Sequence, residues 1–163
     1  MLAQTLKSLF PGIDLETDCT LVDEGQGPRI ARWNRPEPQP TADQIAAAIR
    51  PAALALVTQR IKADRDRRKV LGTPVGPNTF HGDPDSRIQQ IGLVMMGASL
   101  PTGIMWKTVG GAFVEMTPQL AGQIFQATAS RDVALFAAAE AHIAAAAAST
   151  DPLAYDFSAG WPA

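Results

Sequence analysis

The sequence holds a single cysteine, Cys19, so no disulfide can close within the chain and a disulfide-framed secreted domain is excluded. Aromatic residues are scarce at 6%. Charge of either sign is also thin: 14 Lys and Arg stand against 16 Asp and Glu, a net of -2, which argues against a generally basic nucleic-acid binder. Long apolar runs are missing. The least polar stretch, residues 133–148, is mostly alanine and contains Glu140 and His142, so no membrane-spanning helix is expected. The opening MLAQTLKSLFPG places Lys7 inside its apolar stretch and lacks the basic-then-apolar layout of a signal peptide. A soluble chain made in a cytoplasm is the expectation.

What is present is alanine, at 28 of 163 positions, which favours helix. Hydrophobic residues at 46% with 18% charged argue against wholesale disorder. The length suits one ordinary domain or two very small ones.

Leu2, Leu6, Leu9 and Phe10 recur at helical spacing and predict a short amphipathic helix ended by Pro11 and Gly12. Two strand candidates, 19–22 and 29–33, flank a turn-rich loop and suit a hairpin. Pro36, Pro38 and Pro40 then favour extended polyproline geometry, a semi-rigid linker. Thr41 and Gln44 have capping-box spacing for a helix that Pro51 either kinks or restarts, with Gly72 as its C-cap. Residues 73–80 read as a short extended or hairpin segment. Ser86 and Gln89 offer a second capping box, and Ile88, Ile91, Met95 and Ala98 mark one face of the helix that follows. A hairpin turning at Val109, Gly110 and Gly111 precedes Thr117-Pro118, a cap followed by a first-turn proline. The last helix reaches about residue 149, with Leu120, Ile124, Leu135 and Ala138 along one stripe and Phe125, Phe136 and Ile143 along the next. The expected fold is α+β and mostly helical. Its parts are an N-terminal helix–hairpin module (1–35), a proline linker (36–40), a helical domain with its own hairpin and one long alanine-rich helix (41–150), and an extended aromatic tail (151–163).

Chemistry-bearing patterns are few. His81, Asp83 and Asp85 could hold a cation, but a turn entering a helix N-terminus, with Asp83 and Asp85 in N-cap positions, is the favoured reading, and no second histidine is near in sequence. Cys19 has no histidine or cysteine neighbour to activate it. No serine sits in a nucleophile elbow, and no glycine cluster forms a phosphate loop. No catalytic residue, metal ligand or cofactor is assigned, and a non-enzymatic role is expected. Residues 60–69 carry six positive and two negative charges and supply the alternative, a nucleic-acid-binding regulator. Interleaved aspartates and the helix dipole offer those cations a structural role instead, and nucleic acid is not the favoured partner. Tyr155, Phe157 and Trp161 are costly to leave in water, so the tail either folds back on its own core or contacts a partner.

Residues 54–149 resemble a small family of tailed-bacteriophage proteins classed as a domain of unknown function. The resemblance is carried by ADRDRRKVLG with Arg67 and Arg68, by VGPNTFHGDPDSRIQQIG with Phe80, Asp83 and Ser86, and by MWKTVGGAFVEMTPQL with Trp106, Lys107 and Thr117. The segment GQGPRIARWNRPEPQPT, which includes Trp33, is similar to the leader of small phage tail proteins, and YDFSAGWPA to their endings. The resemblance implies a structural or chaperone-like assembly protein of the tail-fibre or baseplate region, made in the host cytoplasm and retained in the virion tail if structural. Its partner would be a fibre or baseplate protein, and a homo-oligomer is expected, with a trimer suiting a fibre. Trp33, Arg67, Arg68, Phe80, Asp83 and Trp106 are the expected structural anchors. Arg67 and Arg68 would pair with Asp83 or Asp85, and Trp106 would pin its hairpin to the long helix. Tyr155, Phe157 and Trp161 are the expected partner contacts.

Overall fold

The starts of the three longer helices are written in their caps. The Thr41 amide donates to Gln44 Oε1 (2.8 Å) and the Gln44 amide to Thr41 Oγ1 (3.2 Å), a reciprocal box. The Leu120 amide donates to Thr117 Oγ1 (3.1 Å), with Pro118 opening the helix. The computed structural model describes residues 1–162, and 54% of the chain is helical. In order come α1 (Leu2–Leu9), β1 (Cys19–Asp23), β2 (Pro28–Trp33), α2 (Ala42–Val70), β3 (Thr73–Val75), β4 (Asn78–Phe80), α3 (Pro84–Met96), β5 (Met105–Lys107), β6 (Phe113–Glu115) and α4 (Pro118–Ala148). Three antiparallel hairpins, β1–β2, β3–β4 and β5–β6, are the only sheets among the described residues. The fold is therefore α+β and mostly helical. Pro51 lies inside α2 and does not divide it, although it removes one backbone hydrogen bond.

The chain forms two compact units. One is Met1–Arg60 with Ile143–Asp156; the other is Ile61–His142 with residues 157–162. The division falls inside α2 and α4, away from the proline segment 36–40. Local bonds explain why that segment stays with the first unit. Trp33 Nε1 donates to the Glu37 carbonyl (2.7 Å), and Arg35 binds both Asp18 (2.9 Å) and Glu37 (3.0 Å). Within this unit Leu2, Leu6, Ile13 and Cys19 form the core, with Phe10 and Trp33 against it, ring centroids 5.1 Å apart. Arg50 closes the end of α4 by donating to the carbonyls of Ala147 (2.7 Å), Ser149 (3.0 Å) and Thr150 (3.1 Å).

The second unit is built on Phe80, Leu100, Met116, Ala121 and Ile124. The β5–β6 register pairs Trp106 with Val114, and both pack on that core, whereas Met105, Lys107, Phe113 and Glu115 face out. The Val109 amide donates to the Thr79 carbonyl (2.8 Å), tying this hairpin to β4. Trp106 is half-buried rather than sealed, so Trp106→Ala should cost about 2 kcal/mol, below the range for a fully buried aromatic. Urea titration followed by circular dichroism measures this, and an unchanged midpoint would discard its anchoring role.

Two local expectations need correction. The cap of α3 is Asp83, whose Oδ1 accepts from the Ser86 amide (2.9 Å) and whose Oδ2 accepts from Ser86 Oγ (2.7 Å). A box of Ser86 with Gln89 does not form, because Pro84 has already started the helix. Arg67 and Arg68 both pair with Asp64, one turn back on α2 (2.9 and 2.8 Å), instead of with Asp83 or Asp85. Asp83 is spent on its cap.

Candidate functional site

Helix α3 turns its polar side inward. Gln90 is 4% exposed and donates to the His81 carbonyl (2.9 Å). Arg87 grips Asp132 of α4 through two bonds (2.6 and 3.1 Å), and also donates to the carbonyls of Gly82 (2.7 Å) and Lys69 (3.2 Å). These fixed polar anchors set the rotation of the helix. The opposite side carries the apolar residues into solvent: Ile88 is 67% exposed, Ile91 45% and Met95 82%. The spacing predicts that these three share one face, and the structure turns that face to solvent. Leu93 and Val94 supply the apolar packing toward the core in their place.

A cavity of about 200 Å³ lies beside this face between α3 and α4, with Ile91 and Phe125 on its wall and Arg87 and Asp132 within it. Burial works to raise the Asp132 pKa, but the positive charges of Arg87, Lys69 and Arg131 outweigh it and hold the carboxylate below its ordinary range. Burial in turn lowers the Arg131 pKa. Its guanidinium donates to the Arg68 carbonyl (3.0 Å), so α2, like α4, has a C-terminal carbonyl capped by a distant arginine. The neighbourhood is an ion-paired scaffold beneath an apolar surface. Residues 88–106 contain no ionisable side chain.

The other expected residues are placed as follows. Phe80, 1% exposed, is at the centre of the second core. Trp33 and Trp106 each pack beside a core. Arg68 lies over the Trp161 ring (4.9 Å), and Trp161 also meets His142, ring centroids 5.0 Å apart. Trp161 Nε1 donates to the Phe157 carbonyl (2.7 Å). Phe157 and Trp161 thus sit against their own unit, while Tyr155 belongs to the other, and a 3₁₀ turn, Pro152–Ala154, interrupts the expected extended tail. Of the basic run, Arg65 pairs with Asp66, Arg67 and Arg68 with Asp64, and Lys69 with Asp132. Arg65 and Lys69 also flank the Phe136 ring at 4.3 and 5.1 Å. Asp64 tends upward through burial, but Arg68 and Arg67 overcome this and lower its pKa. These four cations are engaged within the chain.

No three His, Cys, Asp or Glu side chains gather in metal-binding range among the described residues. Cys19 is buried, and burial, reinforced by Asp18 and Asp14, pushes its thiol pKa up, away from nucleophilic use. No helix among the described residues is long and apolar enough to cross a membrane. The sequence reading missed Arg87, Asp132 and the outward side of α3. The signal available for the last was the charge-free run itself.

Comparison with known families gives two matches. The model described as a domain of unknown function, DUF4376, matches residues 42–159. That of the XkdW protein, a phage-associated family, matches residues 2–55. No curated protein and no solved structure matches the chain.

Proposed function

Because this chain belongs to the DUF4376 family and its first third is similar to the phage-associated XkdW protein, we propose that it is a non-enzymatic structural or assembly protein of a phage tail. It works by protein–protein contacts in the tail-fibre or baseplate region, either built into the virion or acting as a chaperone in the host cytoplasm. The observation that carries the reading is the outward apolar side of α3. A soluble fold that anchors Gln90 and Arg87 inside and leaves Ile88, Ile91 and Met95 in water has kept a surface for another protein.

Deleting the gene from a phage that carries it tests the reading. The expected result is at least a tenfold loss of infectious titre with defective tails. Wild-type chain supplied in trans should restore the titre, and an Ile88→Glu/Met95→Glu chain should not, despite an unchanged circular dichroism spectrum. Normal titre and normal tails after deletion would overturn it. Mass spectrometry of purified virions then separates a virion component from a chaperone.

A further inference from the structure

We propose that α3 is a self-association surface: two copies of this chain pack α3 against α3, antiparallel, about an axis between Ile91 and Gly92. This deepens the reading above and rests on the same exposed face.

On a helical projection Ile88, Ile91, Gly92 and Met95 share one arc of about 100°, and Gln90 lies on the far side. Gly92 is the unexplained member. It lies in the middle of α3 without a positive φ, and a Cβ added there would meet nothing within 4 Å. Neither backbone conformation nor crowding within the chain calls for glycine, although glycine is the poorest helix former after proline. A notch on an exposed helix face does have a use if a second backbone approaches it.

The antiparallel register supplies an occupant for that notch. It sets Ile91 of one copy into the space above the partner's Gly92, and Ile88 against the partner's Met95. Every large apolar residue on the arc then meets a counterpart, the self-complementarity that a two-fold contact demands. Charge agrees. The one acidic residue on the exposed side of α3 is Asp85, in the first turn. In antiparallel packing the two Asp85 side chains fall at opposite ends of the contact and the helix dipoles oppose, whereas parallel packing would set like charges together. With no ionisable group in residues 88–106, the face offers nothing to a charged partner and nothing that repels its own copy.

The area is adequate. Met96 is 44% exposed on the same helix, and Phe125, 47% exposed, shares the cavity wall with Ile91. Together with Ile88, Ile91 and Met95 they present about 600 Å² per copy, or about 1,200 Å² for a pair, the lower bound of specific interfaces. Affinity in the micromolar range is expected.

Sedimentation velocity on the full chain between about 1 and 200 μM tests the proposal. A concentration-dependent dimer is expected. Met95→Glu and Gly92→Leu should each weaken it at least tenfold, the first by placing charge in the contact and the second by filling the notch. Gly92→Leu should keep or raise the thermal midpoint of the monomer, because leucine is the better helix residue and has open space in its own fold. That separates lost association from lost folding. A monomer throughout the range, or a dimer unaffected by both substitutions, overturns the proposal. A monomeric chain whose gene is still required for tails would overturn this inference alone. A dimer whose gene is dispensable would overturn the tail function alone.

Discussion

Arg87→Ala destabilises the second unit by about 3 kcal/mol at neutral pH. This guanidinium donates four hydrogen bonds: two to the Asp132 carboxylate on α4, and one each to the carbonyls of Gly82 and Lys69. Removing it takes the closest cation from the Asp132 carboxylate, whose side chain is 22% exposed, and leaves Lys69 at 3.7 Å beside it. Breaking a buried pair from one side costs about 3–5 kcal/mol, and partial access to water places this site at the lower end. The dependence on pH identifies the cause. Asp132 has a folded pKa below its unfolded value, so the unfolded chain binds more protons and stability rises with pH across that window. The contribution is present above about pH 4 and fades as acid carries Asp132 through its depressed pKa. The gap between wild type and Arg87→Ala should therefore be flat from about pH 5 to 8 and narrow below about pH 4. Urea titrations at stepped pH, read by circular dichroism, measure both. A gap as wide at pH 3 as at pH 7 would assign the loss to the two carbonyl bonds, and no gap at neutral pH would remove Arg87 from the scaffold.

The parts of this fold that the sequence disclosed are the ones decided within a few residues. Thr41 with Gln44, and Thr117 before Pro118, cap helices through atoms three positions apart, and the hairpins announce themselves through their glycine-bearing turns. The Arg67 and Arg68 pairs with Asp64 are equally local, yet the sequence reading assigned both arginines to Asp83 or Asp85. The rotation of α3 is another matter. Ile88 and Ile91 make one apolar arc and Leu93 and Val94 a second, and periodicity ranks neither as the inner one. The decision comes from Arg87 reaching Asp132, 45 positions away, and from Gln90 meeting the His81 carbonyl. Arg50 closing α4 about 100 positions along is equally silent in the sequence. The candidate site was half legible for this reason. Its residues were visible as one apolar face, but the polar contacts that turn that face outward lie elsewhere in the sequence.

Gly82→Ala should cost about 3 kcal/mol or more, a large loss for a single methyl group. A Cβ at Gly82 would collide with the Lys69 carbonyl oxygen and crowd the Gly72 nitrogen and Cα at 3.1 Å. All of these are backbone atoms, so no rotamer change relieves them. Gly72 faces the same junction from the other side. Its φ is +105°, and a Cβ there would stand 2.5 Å from the Phe80 carbonyl oxygen. The two glycines let the end of α2 lie directly on the strand that delivers Phe80 to the core and on the loop that leads into α3. Separating these backbones by a methyl group would also draw the Lys69 carbonyl away from Arg87. Gly82→Ala and Arg87→Ala should then be less than additive, since each loosens what the other holds. Gly76→Ala is the control. Its φ is +57°, but a Cβ there meets nothing within 4 Å, so backbone strain alone applies, at about 1 kcal/mol. Equal urea midpoints for Gly82→Ala and Gly76→Ala would mean that the close approach at Gly82 relaxes freely. A clear separation, with sub-additivity against Arg87→Ala, would locate the stability of the second unit at the junction that also fixes which side of α3 faces out.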